Sequence, residues 1–384
     1  MRAVKAVKQN YSPSNDLLGL IESFRCMIND CVRIGLENNT TSMKGLSLKA
    51  YRQLEGYEVM SYYKLTAISK AAGILANYRK AKRKGKRVKE PYASRPQLVS
   101  CYGIKIANGT LVLPMKETSA IQIPLTQHSL TVLAKFDVRS VTLTARNFSI
   151  SYAKTVTETV PHGLIGVDRN LNNVTTADSE GHVQQLDLSE ATQVKAQYRE
   201  IKRHMKRNDV RVRRRVYSKY GELQRNRVQQ ILHHASKLIV QQAREHQHGI
   251  VMENIRNIRR LYRKGNWQGR KYRSVMNGWS YAELQRQIEY KARWEGLPVI
   301  YVPPQGTSVN CSICGSRMNP CKPEENRQLK CLSCGFTVDR DVNAARNILA
   351  RGMRFMPVAP QVEAMVSVFN PPVDCGELTS EAQQ

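Results

Sequence analysis

Acidic residues are scarce in this chain. Its 384 residues include 31 Asp and Glu against 60 Lys and Arg, which gives a formal net charge of +29. An excess of positive charge this large sets the chain apart from an ordinary soluble enzyme and indicates a polyanionic partner. Because no segment of the chain is apolar enough to indicate a membrane, we expect that partner to be nucleic acid.

Long apolar segments are absent as well. No run approaches the roughly 20 residues of a membrane span, and the first residues, MRAVKAVKQNYSPSND, lack the apolar core of a secretory signal. The nine cysteines, four of them in a metal-binding pattern, argue for a reducing cytosol rather than a disulfide framework. The sequence therefore predicts an intracellular protein without a membrane partner.

Two cysteine pairs carry the strongest local signal. Cys311 and Cys314 form one CxxC motif, Cys331 and Cys334 form another, and 16 residues separate them. This spacing is typical of a four-cysteine zinc site, and two reduced pairs in a hydrophobic core are the alternative. Four thiolates leave no open coordination position, so we expect one structural Zn²⁺. Cys321, between the pairs, is predicted to be a free thiol or an occasional competing ligand.

The N-terminal half predicts a β-domain with a helical insert. Residues 1–11 alternate as in a strand, and residues 91–160 contain short β-rich segments separated by turns, so together we expect a wedge-like β-barrel. Between them, residues 12–90 have apolar side chains at helical spacing and form the predicted insert.

The C-terminal half alternates strands and helices. Residues 161–309 and 337–352 are predicted to form one α/β domain, with the zinc ribbon of residues 310–336 inserted into it. The segment 353–384 is Pro-bearing and polar, and we expect it to be disordered. The predicted fold is thus a multidomain α+β protein.

Three acids stand at the ends of predicted elements. Asp168 and Glu253 each follow a short apolar strand, and Asp341 opens a helix. Each acid alone is more often a solvent-facing group, and Asp341 is well placed to cap its helix. The order of elements, however, is that of an RNase H-like nuclease, where three carboxylates meet at one sheet edge. There they would hold two Mg²⁺ ions about 4 Å apart. Asn343 is expected to orient Asp341 or a metal-bound water.

Basic and aromatic segments are the predicted nucleic-acid contacts. Runs of cations without acids between them repel one another, so phosphate neutralisation is a better interpretation than a solvated face. A later loop interleaves cations with aromatic rings that can stack on unpaired bases. The candidate residues are Arg79, Lys80, Lys82, Arg83, Lys84, Lys86, Arg87, Arg203, Arg207, Arg211, Arg213, Arg214, Arg215, Tyr262, Trp267 and Tyr272. We expect Trp279 and Trp294 to be core residues instead.

Four motifs resemble those of a known family. GVDRNLNNVTTADSEG, HGIVMENI, WSYAELQRQIEYKARWEGLPVIYVPPQGTSVNCSICG and CLSCGFTVDRDVNAARNIL are similar to the RuvC-type motifs and zinc ribbon of TnpB proteins. The resemblance is specific over about residues 160–350 and loose before them, where the order of elements is similar to wedge and recognition domains. Asn170 is a departure, because many family members have Gly at that position.

The resemblance implies an RNA-guided DNA endonuclease encoded by a prokaryotic transposon. Such a protein would act in the cytoplasm on nucleoid DNA, as one monomer with one guide RNA transcribed from the transposon end. It would recognise a target-adjacent motif, open the double-stranded target and cut both strands at a single RuvC site. By motif position, the catalytic carboxylates and Mg²⁺ ligands are Asp168, Glu253 and Asp341, and the Zn²⁺ ligands are the four paired cysteines.

Two alternatives remain open. One is an RNA-guided DNA-binding repressor whose nuclease has decayed, although the three acids are all present here. The other is a transposase of the same fold that acts without a guide. Such enzymes typically place Glu last among their acids, whereas Glu253 is second in this chain.

Overall fold

The structure, a computed structural model, describes residues 1–116, 120–205, 208–255, 258–263, 265–322 and 325–356. Residue contacts divide the chain into two compact units, one from Arg2 to Thr155 and one that begins at Val156. This division lies close to the boundary at residue 160 predicted from the sequence. Within the described ranges, no helix is long and apolar enough to cross a membrane. Most of the predicted tail lies outside the described residues.

The first unit combines strands with a helical insert. Its elements are β1 (Arg2–Asn10), α1 (Asn15–Glu37), α2 (Met43–Ala50), α3 (Ser61–Arg83), β2 (Leu98–Ser100), β3 (Lys105–Ala107), β4 (Thr110–Leu113), β5 (Ile121–Pro124), α4 (Gln127–Leu133), β6 (Asp137–Leu143) and β7 (Asn147–Thr155).

The strands of this unit form two antiparallel sheets, with the orders β1-β7-β6-β2 and β3-β4-β5. In the first sheet β1 and β2 are opposite edges, so the described strands do not meet the prediction of one closed barrel. Strand propensity is local, whereas closure depends on pairing between distant strands, and the sequence pattern does not specify that pairing.

The helical insert follows its apolar pattern. Ser14 caps α1 by accepting a hydrogen bond from the backbone N–H of Leu17. The apolar stripe of α1, which runs from Leu17 to Val32, is buried, and the helix packs against α3. Helix α3 ends at Arg83, within the basic run, and three cations in its last turn suit the negative end of a helix.

The second unit is built on one mixed sheet. Its elements are β8 (Gly163–Arg169), β9 (Asn173–Asp178), β10 (Val183–Asp187), α5 (Ser189–Arg203), α6 (Tyr217–Glu245), β11 (His248–Glu253), α7 (Arg270–Met276), α8 (Tyr281–Glu295), β12 (Val299–Val302), β13 (Met318–Lys322), β14 (Glu325–Cys331), β15 (Thr337–Asp339) and α9 (Arg340–Met353). The sheet order is β10-β9-β8-β11-β12, and β13-β14-β15 form a separate small sheet.

Helices cover both faces of the central sheet. Strands β8, β11 and β12 are parallel, whereas β9 and β10 run antiparallel to their neighbours. Alternate side chains of β8 point to opposite faces, so Ile165 and Val167 pack with α5, α6 and α8, whereas Leu164 packs with α9. Burial on both faces of the sheet explains why the sequences of β8 and β11 are mostly apolar instead of alternating between apolar and polar residues.

Helix α9 lies very close to the backbone of β8. A Cβ atom added to Gly166 would stand 2.3 Å from the carbonyl oxygen of Ala345 and 2.6 Å from the backbone nitrogen of Leu349. Glycine is therefore required at this position by close approach of the helix. The contact fixes the helix that carries Asp341 against the strand that carries Asp168.

Candidate functional site

Two of the predicted acids leave neighbouring strands at the same end of the sheet. Val167 of β8 pairs with Met252 of β11 in parallel register, so the next residues, Asp168 and Glu253, emerge side by side. Asp341 lies in the first turn of α9, which packs on both strands. The elements thus bring the three acids into one region, as their order in the sequence predicts.

All three carboxylates are withdrawn from solvent. Asp168, Glu253 and Asp341 are 6, 9 and 2% exposed. Burial, reinforced by the negative charges of Glu253 and Asp341, raises the pKa of Asp168 to about 7. Burial also raises the pKa of Glu253, although its hydrogen bond with Thr307 and the nearby Arg169 oppose that shift. The protein therefore holds repelling carboxylates in a poorly solvated place.

The guanidinium of Arg169 is buried near Asp168 and Glu253. The Arg169 guanidinium donates 2.6 Å to the backbone carbonyl of Glu253 and 2.8 Å to the side-chain oxygen of Gln285. Burial lowers the pKa of Arg169, and the negative charge of Glu253 opposes this. Arg169 thus offsets part of the negative charge while it fixes the end of β11 through its main chain.

Asp339, not Asp341, caps helix α9. Its carboxylate accepts hydrogen bonds from the backbone N–H groups of Asp341 and Val342, at 2.8 and 3.2 Å. Asp339 therefore fills the capping role that was considered for Asp341, and the Asp341 side chain is available for other contacts.

Asn343 has a different role from the predicted one. Its side chain donates 2.7 Å to the backbone carbonyl of Asn310 and accepts 2.9 Å from the backbone N–H of Ser312. The buried amide thus holds the first cysteine knuckle to α9 and does not orient Asp341. The prediction was wrong because it used only the spacing between Asn343 and Asp341 along the helix. That spacing does not show that the loop of Asn310 and Ser312 packs against Asn343.

A threonine outside the predicted site contacts Glu253. Thr307, which is buried in the loop between β12 and the first knuckle, donates 2.6 Å to Oε1 of Glu253. Asn347 of α9 donates to the carbonyl oxygens of Thr307 and Asn310, at 2.9 and 2.7 Å. The loop that holds Glu253 is therefore fixed by the same helix that carries Asp341.

Two donors meet Asp341. Asn173 Nδ2 and Arg327 Nη1 each lie 3.0 Å from Oδ2 of Asp341, and Arg327 belongs to β14 of the small sheet. The Arg340 guanidinium lies 3.5 Å from the other oxygen, Oδ1. The positive charges of Arg327 and Arg340 thus compensate the negative charge of this carboxylate.

The carboxylate set fits Mg²⁺. Among the described residues, side-chain hydrogen bonds fall on one oxygen of each acid: Oδ2 of Asp168, Oε1 of Glu253 and Oδ2 of Asp341. The second oxygens of Asp168 and Glu253 are left for other ligands, whereas the second oxygen of Asp341, Oδ1, lies 3.5 Å from the Arg340 guanidinium. Carboxylate oxygens are the donors that Mg²⁺ prefers, and a divalent cation would relieve the repulsion that raises the pKa of Asp168.

The four paired cysteines meet at one point. Their sulfur atoms all lie within 4.8 Å of one another. Cys311 and Cys334 are 3.7 Å apart, and Cys314 and Cys331 are 3.4 Å apart. Tetrahedral thiolates about 2.3 Å from Zn²⁺ would be about 3.8 Å from each other, so the donor set fits zinc.

Both knuckles have the same backbone construction. In the first, Gly315 donates to the carbonyl of Cys311, and in the second, Gly335 donates to the carbonyl of Cys331, each at 3.0 Å. Both glycines have positive φ angles, of 77° and 73°, which other residues rarely adopt. Cys321 is an exposed free thiol apart from this group.

The basic candidates are exposed cations. Those from Arg79 to Arg87 follow the last turns of α3 and the chain beyond it. Arg203 lies at the end of α5, and Arg213, Arg214 and Arg215 lie on a π-helical turn, Val212–Val216, that precedes α6. Arg211 is exposed just before this turn, and Arg207 lies outside the described residues.

Some of the aromatic candidates are exposed and others are buried. Trp267 is 103% exposed and Tyr272 is also exposed, so their rings are accessible for stacking. Tyr262 is only 3% exposed, and its predicted role in stacking is wrong because no face of the ring is open to a base. Trp294 is buried as expected, whereas Trp279 is half-buried and donates 2.8 Å from its indole nitrogen to the carbonyl of Asn170.

Comparison with known proteins supports the resemblance. A family model described as "Cas12f1-like, TNB domain" matches residues 281–348, which include the loop of Thr307, the four cysteines and Asp341. The TnpB-like protein MJ0751 of Methanocaldococcus jannaschii is 29% identical over 225 residues, which are 56% of this chain and 78% of that protein.

Cas12f proteins are similar in both sequence and fold. The CRISPR-associated endodeoxyribonuclease Cas12f1 of Sulfoacidibacillus thermotolerans is 36% identical over 117 residues, which are 30% of this chain and 25% of that protein. The cryo-EM structure of a Cas12f1–sgRNA–target DNA complex shares the fold, with a TM-score of 0.62 at 15% identity over 87% of this chain and 83% of that one. The chain is thus similar in sequence to TnpB-like and Cas12f proteins, and it shares the fold of the Cas12f1 structure.

Proposed function

We propose that this protein is an RNA-guided endonuclease that cuts double-stranded DNA. The observation that carries the proposal is the meeting of Asp168 and Glu253 at the ends of parallel strands, with Asp341 on the helix that packs across them. The sheet order, with three antiparallel strands continued by two parallel ones, is also that expected of a RuvC-type, RNase H-like nuclease domain.

Asp168, Glu253 and Asp341 would together hold Mg²⁺. Two such ions, when bound, would activate a water molecule and stabilise the leaving 3′-oxygen of a phosphodiester. The chain itself supplies three things: carboxylates held by fixed hydrogen bonds, a buried Arg169 that limits their repulsion, and a site shielded from bulk water. Preorganised ligands of this kind reduce the rearrangement needed when substrate binds.

The exposed cations supply the proposed contacts with guide RNA and target. A guide–target heteroduplex is held by its backbone and shape, which suits Lys and Arg. The runs near Arg79 and Arg213 are exposed and rich in such residues. We further propose that the first unit serves as the wedge and recognition domains, and that the protein reads a short target-adjacent motif before the guide pairs.

Relatives support this proposal. The curated Cas12f1 relative is named an endodeoxyribonuclease, and the matching cryo-EM structure contains a guide RNA and target DNA. Retention of three buried acids favours cleavage over the alternative of a decayed, DNA-binding repressor.

The test is cleavage by purified ribonucleoprotein. We would express the chain with its flanking transcript, sequence the RNA that copurifies, and incubate the complex with target plasmid and Mg²⁺. We expect a discrete RNA and a linear product, and Asp168→Ala should retain RNA and target binding while cleavage disappears. Cleavage at the wild-type rate by Asp168→Ala, or cleavage without any RNA, would overturn the assignment.

A further inference from the structure

A turn rich in asparagine joins the strand of Asp168 to the next strand. Asn170 and Asn173 are its first and last residues, and Asn172 lies between them. The backbone N–H of Asn170 donates 2.9 Å to the carbonyl of Asn173, which closes the turn. The side chains of these two residues therefore start close together, immediately beyond Asp168.

The side chains of Asn170 and Asn173 form a continuous path between two acids. Asn170 Nδ2 donates 2.7 Å to Oδ2 of Asp168 and lies 3.1 Å from Oδ1 of Asn173. Asn173 Nδ2 in turn donates 3.0 Å to Oδ2 of Asp341. Two carboxylates that are 173 positions apart in the sequence are thus linked through two neighbouring amides.

We propose that Asn170 and Asn173 are positioning residues, an amide bridge that holds Asp168 and Asp341 as one pair for a divalent cation. Each amide donates to Oδ2 of its carboxylate, so neither amide occupies the Oδ1 that a cation would use, although Oδ1 of Asp341 also lies 3.5 Å from the Arg340 guanidinium. Donors to a buried carboxylate also favour its charged form, which is the form that binds metal. The consequence for cleavage rests on the proposed nuclease function, whereas the consequence for cation binding does not.

The surroundings of the turn hold the bridge in place. The indole of Trp279 donates to the carbonyl of Asn170, and the backbone N–H of Leu188 donates to the carbonyl of Asn172. Asn173 itself is buried, so its amide has few other partners to exchange with. A bridge fixed in this way restricts the two carboxylates before any cation arrives, which is how groups outside the ligand set tune a metal site.

A structural role in the turn is the alternative explanation for these two residues, because asparagine is a common turn residue. A role confined to the turn would affect stability and leave cation affinity unchanged, and this difference separates the two explanations.

The experiment measures Mn²⁺ binding to the zinc-loaded, full-length protein by electron paramagnetic resonance, with Asp168→Ala as the background. Asn170→Ala and Asn173→Ala should each weaken Mn²⁺ binding about tenfold, the lower end of effects seen for groups that orient metal ligands. The double variant should be little weaker than either single one, because both changes interrupt the same path. In the ribonucleoprotein, the Mg²⁺ concentration for half-maximal cleavage should rise in parallel.

Asn172→Ala is the matched control. Asn172 lies in the same turn, but its side chain accepts from Thr192 rather than contacting an acid. The Asn172→Ala variant should leave Mn²⁺ binding unchanged. Asn170→Gly, which keeps a flexible turn while removing the amide, should behave like Asn170→Ala even if the alanine variant folds poorly.

Two results would overturn the bridge: wild-type Mn²⁺ affinity in folded Asn170→Gly and Asn173→Ala, or an equal loss in Asn172→Ala. If the wild-type protein binds Mn²⁺ as described but never cuts DNA with its RNA, the nuclease proposal fails and the bridge stands.

Discussion

Thr307 donates a 2.6 Å hydrogen bond to Oε1 of Glu253 from a loop 54 residues farther along the chain. Thr307→Val removes the hydroxyl and keeps the shape of the side chain, so Glu253 loses a donor that favours its charged form. We expect cleavage to slow roughly tenfold, the effect of losing one hydrogen bond to a charged group. Thr307→Ser keeps the hydroxyl and should cut near the wild-type rate. Equal cleavage by the Val and Ser variants in a timed plasmid assay would contradict this role.

Zinc should be needed for cleavage as well as for the fold of the ribbon. Cys331→Ser removes a buried thiolate, and the three remaining thiolates hold Zn²⁺ weakly. Because Asn343 and Asn347 fasten the knuckle and the Thr307 loop to α9, loss of the metal should loosen Glu253. We expect the zinc content, measured by inductively coupled plasma mass spectrometry, to fall from one per chain together with cleavage.

Cys321→Ser is the control for the zinc prediction, because Cys321 is an exposed thiol in β13 outside the four-sulfur group. It should keep one zinc per chain and full activity. A Cys331→Ser protein that lacks zinc and cuts normally would show that the ribbon and the acids are independent.

Gly166→Ala should displace α9. The added methyl group would fall 2.3 Å from the carbonyl oxygen of Ala345 and 2.6 Å from the backbone nitrogen of Leu349, and the backbone of α9 cannot move away cheaply. We expect the free energy of unfolding to fall by about 1–3 kcal/mol or more, as for an overpacked core. The cleavage rate should fall by more than the loss of folded protein accounts for, since a displaced α9 also displaces Asp341. The measurement is denaturant unfolding beside the plasmid assay.

Gly221→Ala is the matched change for Gly166→Ala. Gly221 lies in α6 with open space around the position of a Cβ atom, so alanine should be neutral or stabilise by up to about 1 kcal/mol. Equal stability of both variants would argue against close packing of α9 on β8.

His248 should make the protein less stable in mild acid. It is buried at the start of β11, and burial lowers its pKa below the usual 6.5. The folded protein therefore binds fewer protons than the unfolded chain just below pH 6.5, so stability present above this range is lost as the pH falls through it. The titratable groups that act on it are Glu180 and Asp178, which oppose the shift, and His246 and His162, which reinforce it.

His248→Gln isolates this residue from its neighbours. Between about pH 7.5 and about pH 5.5, which bracket the ordinary histidine pKa, the wild-type Tm should fall more than the Tm of the variant. Parallel Tm curves for the two proteins over this range would refute the prediction. The measurement is differential scanning calorimetry of the zinc-loaded protein.

The arginines of the π-helical turn should contribute to RNA binding through charge. Arg213, Arg214 and Arg215 are exposed, and replacing all three with Gln should reduce the slope of log affinity against log salt by about 2, since each contact with single-stranded phosphate contributes about 0.7. Arg286→Gln, whose guanidinium pairs with Glu283 at 2.6 Å, should leave the slope unchanged. A salt titration by filter binding that gives equal slopes for the triple variant and wild type would exclude these arginines.

The residues that the structure brings together were selected from local signals. A strand that ends in an acid, and a CxxC motif with a glycine after it, are each encoded within a few residues, so the sequence indicated Asp168, Glu253 and the cysteines as candidates. The order of strands then indicated which ends meet, because parallel neighbours place their carboxyl ends together.

Other contacts depend on packing between distant segments. Thr307 and Asn173 have ordinary side chains in loop and strand-end positions, and no periodic pattern marks them as partners of Glu253 and Asp341. Tyr262 failed for the reverse reason, since a loop rich in cations and aromatics predicts exposure while tertiary packing buries that ring. Charge and spacing indicated the candidate ligands but not the residues that contact them.

The several attachments of α9 have a practical consequence for making chimeras with related proteins. Asn343 and Asn347 bond to the loop before the first knuckle, and Arg351 donates to the carbonyls of Pro303 and Gln305. Exchanging only the ribbon between residues 310 and 336 would replace Asn310, the partner of Asn343 and Asn347, and leave those two residues facing a foreign loop. A transplant that runs from residue 303 to residue 353 moves loop, ribbon and helix as one cassette, and its junctions are the ones to use.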